Sequence, residues 1–504
     1  MSTKRQTLQG PGTGEESTDL LKGSIKFFTI VLMVTAAAAP LVVASTYIPM
    51  SIAFGGGMAT ALTYLTATLI LLVFSIGFAQ MAKRITASGA FYNFTTQGLG
   101  KPIGLGAGMT VMIGYSMIAA AIQGGFGFFA SHMLSTYLQL EVPWWLCSVL
   151  SLILMYFIAY FQVTVAGRVL GIALMLELLA VFIVASMTIL RGGAEGQMPE
   201  VFNPAGWATA PGVGIGFFFA FWSWIGFETT AIYGEETADP KKSVPRATYI
   251  AVITLGVFYT FAAYAALVGF GSSSVDQANT LLDKYFFVLA DMYTWPFMRV
   301  AMDFLVVTGF FACSFAFFNN AARYIFSMGR DGILPQRLGR THPAHKSPYM
   351  ANGLQAGVAI AVVLIFAAIG ADPLIHLGGW LPIFCTLSII LVQALVSIAV
   401  IAYFNRVGRH TVGDYWKTLV APLIGALAQL VVIVLLIRNL PFLTGSEEMI
   451  VILIPVYVAV VAFAGFFYAL HLRKAAPAKY ERIGTLYDEE NLEPQPQPQQ
   501  TNAR

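Results

Sequence analysis

Twelve apolar runs, each about 20 residues long, dominate this sequence and restrict the folds open to it. A run of that length crosses a bilayer as one helix, because a helix satisfies its backbone hydrogen bonds internally. Only 11% of the 504 residues are charged, about half of the usual share in soluble domains. We therefore predict an all-α membrane protein with twelve transmembrane helices. The predicted spans are residues 27–53, 58–80, 102–130, 143–160, 166–190, 212–233, 247–270, 297–328, 349–370, 376–404, 418–438 and 449–471.

The two polar ends of the chain are predicted to lie outside the membrane and to be disordered. Residues 1–23 contain no apolar signal core. Residues 475–504 finish in the polar tail E-P-Q-P-Q-P-Q-Q-T-N-A-R. The helical domain between them is expected to cover residues 24–474. An even number of spans places both termini on one side of the membrane.

The distribution of Lys and Arg indicates which side that is. If the termini are cytoplasmic, 24 of the 28 basic residues fall in cytoplasmic segments. The four on the opposite side are Arg191, Lys284, Arg299 and Arg438. Cytoplasmic loops carry such an excess of positive charge, so we predict a multi-pass plasma-membrane protein with both termini cytoplasmic.

Two of the spans carry features that interrupt a helix. In the first, Pro40 follows four alanines; it lacks an N–H, and its ring clashes with the carbonyl of Ala36. In the sixth, two small residues, Ser223 and Gly226, lie beside Trp222 and Trp224 halfway along the span. Interrupted spans at matching places in two halves indicate an inverted-repeat transporter with its site at the breaks. A simple kink at Pro40 is the alternative.

Two carboxyl groups lie at membrane depth. Glu228 follows the break in the sixth span, and Glu177 lies near the centre of the fifth. An ionisable residue at this depth is a functional candidate by default, and both are predicted to carry a coupling proton. The alternatives are a structural carboxyl bonded to neighbouring backbone at Glu228 and a buried counter-ion or structural group at Glu177.

Three motifs resemble segments of the amino acid–polyamine–organocation (APC) superfamily, of the bacterial amino acid permease type. W-S-W-I-G-F-E at 222–228 with E-E-T-A-D-P-K-K-S-V-P-R-A at 235–247 resembles its sixth helix and following loop. A-K-R-I-T-A-S-G-A-F-Y at 82–92 resembles the loop after helix two, and R-Y-I-F-S-M-G-R-D-G-I-L-P at 323–335 the loop after helix eight. Their order and spacing argue against chance.

The resemblance implies a five-plus-five inverted repeat and two extra helices. The repeats would cover roughly residues 27–190 and 212–404, and the extra helices roughly 418–471. In similar transporters, N–H groups freed in helix one bind the substrate carboxylate, and carbonyls freed in helix six bind its amino group. Where the family usually has a G-S-G-I-like break in helix one, this chain has A-A-A-A-P-L-V-V-A-S-T. The predicted substrate-binding residues are Ala38, Ala39, Pro40, Leu41, Trp222, Ser223, Ile225 and Gly226, with Ser314 in the eighth span.

The resemblance also suggests roles for two of the side chains. Trp222 matches a position at which relatives stack an aromatic ring on the substrate, as a gate; a ring facing the core or lipid is the alternative. Some relatives carry a lysine near the position of Glu177, in place of the sodium ion of sodium-driven members.

The remaining polar side chains are expected to be structural. Polar residues that join helices are Tyr115, Gln123, Asn319, Asn320 and Arg323. Charges in cytoplasmic loops are expected to form ion pairs that hold an inward gate closed; they are Glu235, Glu236, Asp239, Lys241, Lys242, Arg330 and Asp331. Cys147, Cys313 and Cys385 show neither metal-ligand nor disulfide spacing.

These observations predict a secondary transporter that imports an amino acid, driven by protons or, alternatively, by sodium. No phosphate-binding loop is present, and no cofactor or nucleic acid partner is expected. The main alternative is a permease for an organic amine such as a polyamine or ethanolamine, or an amino acid/amine exchanger. A channel is less well supported, because the sequence shows no selectivity motif. An enzyme is less well supported, because the sequence shows no catalytic constellation. Oligomeric state is left open.

Overall fold

The protein is a bundle of twelve long helices in the computed structural model. The structure describes residues 20, 23, 25–161, 164–210, 212–409, 411–444 and 449–485. Within those ranges there is no β-strand, and one isolated bridge pairs Ile25 with Thr237. The twelve candidate membrane spans, numbered in chain order, are Phe27–Phe54, Gly57–Ala82, Lys101–Leu138, Trp144–Phe161, Leu170–Leu190, Val213–Ile232, Pro240–Tyr293, Pro296–Arg330, Tyr349–Ala368, Pro373–Val407, Val412–Arg438 and Ile454–Ala475. The predicted fold class and the number of spans are confirmed.

The two faces of the bundle follow from the order of the spans. We call the end at which Ile25 and residues 476–485 lie the terminal face, and the opposite end the far face. The loops after spans 2, 6, 8 and 10 lie at the terminal face. The range given for span 7 contains its long helix, Pro240–Phe270, and two short far-face helices, Ser274–Leu281 and Tyr285–Tyr293.

The burial pattern separates an inner from an outer set of spans. Span 6 is buried along its whole length. Span 3 packs against spans 8, 10 and 12, and span 2 packs against span 7. Outer spans expose large apolar side chains such as Leu154, Ile365 and Phe463. A continuous apolar outer surface is stable in lipid but not in water, so the fold is that of a multi-pass membrane protein.

Spans 1 and 6 are each broken near the middle. Helix 1a, Phe27–Ala38, ends at Ala39, whose φ of 43° is left-handed; half-helix 1b, residues 40–54, follows and is a π-helix over Val43–Tyr47. Helix 6a, Val213–Trp224, ends at the extended residue Ile225 and at Gly226, whose φ is 112°. Helix 6b, Thr229–Ile232, completes the span.

The halves of the two broken spans touch at the far face. A Cβ atom built on Gly55, at the end of 1b, would lie 2.7 Å from the Cα atom of Gly216 in 6a. Only glycine allows this approach of the two backbones. The contact joins 1b and 6a into one packed unit on the far side of the breaks.

The chain ends depart from the sequence prediction where they are described. The prediction that disorder begins at residue 475 is wrong, because Pro477–Glu481 is helical and Ile483 is 1% exposed. Hydrogen bonds to buried groups of the terminal face hold it in place, and composition does not reveal these. Leu20 is buried against spans 8 and 9. Residues 1–19 and 486–504, also predicted to be disordered, lie outside the described residues.

Candidate functional site

The two helix breaks face each other across a small cavity. Its volume is about 20 Å³, which gives room for about one water molecule. Of the residues predicted to bind substrate, five line it: Ala38, Ala39, Trp222, Ser223 and Ile225. The remaining lining residues, which the sequence analysis did not identify, are Ala37, Val42, Val43, Tyr47, Ile122, Cys313 and Phe317.

The other predicted binding residues lie next to the cavity without lining it. Pro40 occupies the first position of 1b, and Leu41 follows it. Gly226 binds Glu228 through its N–H. Ser314 is directed at span 3, where it donates to the carbonyl of Ala119 at 3.0 Å and accepts from Gln123 at 2.8 Å. Gln123 therefore joins helices, as expected.

The break in span 1 differs in detail from the expected one. Pro40 is not inside a helix but starts one, a position for which its fixed φ is suited. The three carbonyls before the break all have partners: Ala36 accepts from the N–H of Ala39, Ala37 from the Cys313 thiol at 3.0 Å and Ala38 from the Tyr259 hydroxyl at 2.6 Å. In this conformation a backbone N–H and side chains from spans 7 and 8 therefore satisfy the last three carbonyls of 1a.

Free backbone groups remain at two points around the cavity. The N–H groups of Leu41 and Val42, in the first turn of 1b, have no acceptor among the described residues. The carbonyls of Ser223 and Ile225, at the end of 6a, likewise accept no hydrogen bond from the part of the chain described. The start of 1b is thus electropositive and the end of 6a electronegative.

Aromatic rings close the cavity toward the far face. The ring of Trp222, in 6a, meets the ring of Tyr47, in 1b, edge to face at a centroid distance of 6.1 Å. Behind the 6a wall, the Tyr64 hydroxyl lies 3.1 Å from Ser223 Oγ, and the Tyr64 ring packs against that of Tyr259. These two tyrosines, from spans 2 and 7, therefore support both breaks, and no local sequence signal identified them.

Glu228 joins span 3 to the break in span 6. Its side chain is fully buried. One carboxylate oxygen accepts a hydrogen bond from the Tyr115 hydroxyl in span 3, and the other accepts from the N–H of Gly226 at 3.1 Å. The Tyr115 ring packs in turn against Phe317, a wall of the cavity. Glu228 is thus bonded directly to the backbone of the span 6 break and, through Tyr115, packed against the cavity wall.

Glu177, in span 5, lies against span 8 close to the cavity wall. A Cβ atom built on Gly309 would meet the Glu177 carboxylate at 2.7 Å, and the same helix carries Cys313 one turn further on. The Glu177 side chain is fully buried, and neither of its oxygens has a hydrogen-bond donor among the described residues. Such a group is unstable as a bare carboxylate, so a proton or a cation is its natural partner.

Ion pairs close the bundle on the terminal face. Arg323 donates to both oxygens of Glu236, at 2.8 and 3.2 Å, and lies over the Tyr233 ring. Arg330 donates to both oxygens of Glu235, at 2.9 and 2.7 Å. We call these two pairs the terminal gate. They join the end of span 8 to the loop after span 6, as the sequence predicted for Arg330, Glu235 and Glu236.

The surroundings of the terminal gate add further links. The N–H of Ser88, in the loop after span 2, donates to Glu235 at 2.9 Å. Burial alone would raise the pKa of Glu235, but Arg330 and Ser88 outweigh it and hold that pKa below its ordinary value. The stability from this pair is therefore present above the ordinary glutamate pKa and is lost as the pH falls through the lowered value. Asp239 and Lys242, by contrast, form an exposed pair at 3.5 Å.

The other charged and polar groups show no metal centre. Within the described ranges, no three His, Cys, Asp or Glu side chains cluster as metal ligands. Asn320 donates to Thr229 at 2.8 Å, and Asn319 to the carbonyl of Phe315 at 2.8 Å. Asn320 therefore joins span 8 to 6b, as the sequence predicted, whereas the hydrogen bond of Asn319 stays within span 8.

Comparison with known proteins identifies the family. A family model described as amino acid permease matches residues 25–461, which include both breaks and all of the residues just described except those of the C-terminal segment and Leu20. The chain belongs to the amino acid permease family. The resemblance to the APC superfamily is thereby confirmed, and the protein is a transporter rather than an enzyme.

The names of individual relatives of this permease state two kinds of substrate. The chain is similar to the branched-chain amino acid permease BcaP of Bacillus subtilis (strain 168), with 23% identity over 59% of this chain and 65% of the relative, a little under two thirds of that protein. It is 24% identical to BcaP of Lactococcus lactis subsp. cremoris over 61% of this chain and 68% of that one. It is also 22% identical to the low-affinity putrescine importer PlaP of Escherichia coli (strain K12), over 81% of this chain and 87% of the importer.

The hydrogen bond from Tyr259 to the span 1 break gives a testable consequence. We expect Tyr259→Phe to leave the Ala38 carbonyl without a donor and to lower the free energy of unfolding by about 1–3 kcal/mol. The midpoint of thermal unfolding in detergent measures this loss. Tyr249→Phe, in the same span, is the matched control, because no hydrogen bond of the Tyr249 hydroxyl is present in the described structure. Equal midpoints for the two variants would contradict the assigned role.

Proposed function

We propose that this permease imports an amino acid with an apolar side chain, and that protons drive the uptake. The substrate binds between the breaks of spans 1 and 6. The observation that supports this most directly is the pair of free backbone groups around the cavity. The N–H groups of Leu41 and Val42 suit a carboxylate, and the carbonyls of Ser223 and Ile225 suit an ammonium.

The rest of the cavity wall favours an apolar side chain on the substrate. Val42, Val43, Ile122 and Phe317 surround the space between the breaks. Of the described carboxylates none lines it: Glu228 is held by Tyr115 and Gly226, and Glu177 contacts span 8 at Gly309. A diamine requires an acceptor for each of its two ammonium groups, so the wall favours an amino acid like those in the names of the BcaP relatives over putrescine.

The closed cavity implies movement during transport. About 20 Å³ holds a water molecule but not an amino acid. The terminal gate and the Tyr47–Trp222 contact lie on opposite sides of the breaks. Opening one while the other stays closed would expose the cavity to one face at a time, which is how alternating access operates.

The positions of the breaks support an inverted repeat. Ala39 is the thirteenth residue of span 1, and Ile225 is the thirteenth residue of span 6. Span 1 begins at the terminal face, whereas span 6 begins at the far face, so the two would be related by an axis in the membrane plane. The repeats would then be residues 27–190 and 212–404, followed by two extra helices.

The proposed orientation places the terminal face in the cytoplasm of a plasma-membrane protein. The loops after spans 2, 6, 8 and 10, with the helix ends that flank them, contain 14 of the 28 basic residues, whereas the far-face loops and helix ends contain four, Arg191, Lys284, Arg299 and Arg438. This distribution satisfies the positive-inside rule. Substrate would therefore enter past Tyr47 and Trp222 and leave through the terminal gate.

Glu228 and Glu177 are the proposed proton carriers. Protonation of Glu228 would weaken one of the two oxygens as an acceptor, either for Tyr115 or for the Gly226 N–H, and so would alter the contacts of the span 6 break. Glu177 contacts span 8 beside Cys313, which holds the carbonyl of Ala37. Each carboxyl is thus next to one of the two breaks, where a proton can bias the conformation.

The substrate class is tested by uptake into proteoliposomes. We expect leucine, isoleucine and valine to accumulate, because their side chains match the apolar wall. Isoamylamine, which is leucine without its carboxyl group, should compete at least tenfold less well, since the N–H groups of 1b lose their acceptor. Putrescine should also compete poorly. Equal competition by isoamylamine or putrescine would favour the amine permease over the amino acid transporter.

The coupling mechanism is tested with amide substitutions. We expect Glu228→Gln to abolish accumulation and flatten its dependence on pH between about 5 and 8, and Glu177→Gln to do so less completely. Counterflow exchange should persist, because glutamine keeps the shape of the protonated carboxyl. Asp303→Asn is the control, since that carboxylate binds Arg299 and Tyr137 near the far face. If both variants retain pH-dependent accumulation, a sodium-driven mechanism replaces the proton-driven one.

A further inference from the structure

A short C-terminal segment folds back onto the terminal face. Residues 476–485, which we call the strap, follow span 12 and contain the helix Pro477–Glu481 and the buried side chain of Ile483. They lie beyond the segment matched by the family model, which ends at residue 461. The strap is therefore not explained by the transport site or by the family assignment.

The strap is anchored at a buried carboxylate. The N–H of Gly484 donates to Asp331 Oδ2 at 2.9 Å and to the Tyr92 hydroxyl at 2.8 Å. The Tyr92 hydroxyl donates to the same Asp331 oxygen at 2.7 Å. Asp331 is 1% exposed, so these charge-assisted hydrogen bonds are shielded from water and are among the stronger kind.

The anchor requires glycine. Gly484 has a φ of 65°, in the left-handed region. A Cβ atom at this position would lie 2.6 Å from Thr96 Cγ2, in the helix Ala90–Leu99 between spans 2 and 3. An alanine would be strained in its backbone and would collide with that helix, so a single methyl group is enough to displace the strap.

The strap also binds the residue that forms the terminal gate. Arg482 donates to the main-chain carbonyl of Arg330 at 2.5 Å, while the Arg330 side chain holds Glu235. Toward span 3, Lys101 forms an ion pair with Glu481 at 2.5 Å. The strap thus connects the end of span 8, the helix Ala90–Leu99 and the start of span 3.

The contacts of the strap become more buried from Glu481 toward Gly484. Glu481 is 73% exposed in its side chain, and an ion pair so exposed adds little stability in water. The buried contacts are confined to Ile483 and Gly484. A segment held by so few residues can detach without unfolding the bundle.

We propose that the strap is a latch that stabilises the closed terminal gate. When Gly484 is bound at Asp331, the end of span 8 is held in the position from which Arg330 reaches Glu235. Release of the strap shifts the conformational equilibrium toward an open gate, because its contacts with Asp331 and Arg330 are made in the closed arrangement. The C-terminal segment thereby regulates access to the site from the terminal face.

The latch is tested by the reactivity of a thiol behind the gate. Ser88 is fully buried, and its N–H donates to Glu235 of the gate. In full-length protein with the native cysteines replaced by alanine, Ser88→Cys reports gate opening through its rate of maleimide labelling in detergent. We expect Gly484→Ala, and separately deletion of residues 476–504, to raise this rate several-fold. Because no transport is measured, the result is independent of the proposed substrate and coupling ion.

Two controls separate a latch from general loosening. Lys479→Ala, at an exposed strap position, and deletion of residues 486–504 should leave the labelling rate unchanged. In a second background that keeps only Cys385, buried in span 10, labelling should stay slow in every variant. Three results would overturn the latch. The Ser88→Cys thiol is labelled no faster with Gly484→Ala than with the unchanged strap, Lys479→Ala accelerates its labelling as Gly484→Ala does, or Gly484→Ala also accelerates labelling of Cys385.

Discussion

The need to satisfy backbone polar groups in an apolar medium is the constraint on which this structure depends. A helix break at membrane depth exposes N–H and carbonyl groups. Each such group without a hydrogen-bond partner in hydrocarbon destabilises the fold by roughly several kcal/mol. Here Tyr259 and Cys313 satisfy the carbonyls at the end of 1a, and Glu228 satisfies the Gly226 N–H. Among the described residues at the breaks, free groups remain at the start of 1b and at the end of 6a, beside the cavity. The breaks are thus stabilised everywhere except where a zwitterion is proposed to bind.

The side chains that form hydrogen bonds with the backbone at the breaks also connect the site to the rest of the bundle. Tyr259 and Cys313 belong to spans 7 and 8, and Tyr115, which binds Glu228, belongs to span 3. A shift of either broken span therefore changes hydrogen bonds in its neighbours. At the terminal face, Arg330 of span 8 binds Glu235 and also, through its carbonyl, the strap. Span 8 consequently links the region of the breaks, the terminal gate and the C-terminal segment.

The features that the sequence predicted are those encoded by length and local composition. Twelve apolar runs predict twelve spans because the bilayer fixes their length, and Pro40 and Gly226 locate the breaks because each is incompatible with a continuous helix. Cys313, Tyr259 and Ile122 could not be placed in advance. The hydrogen bonds of Cys313 and Tyr259 join residues more than 200 positions apart in the chain, and Ile122 lines the cavity with residues at least 75 positions away. These contacts depend on how the spans pack. The strap was missed because its polar composition predicts disorder, while its anchor is a single glycine on a distant buried carboxylate.

The central claim is that substrate binds between the two breaks, and the alkylation rate of Cys313 tests this directly. Its thiol lines the cavity, whereas Cys147 and Cys385 lie buried in spans 4 and 10 and do not line it. In a variant that keeps Cys313 alone, saturating leucine should slow alkylation of its thiol several-fold, and isoamylamine at the same concentration should not. Variants that keep only Cys147 or only Cys385 should show no protection. If leucine accumulates in proteoliposomes and yet leaves Cys313 alkylation unchanged, the substrate does not bind between the breaks.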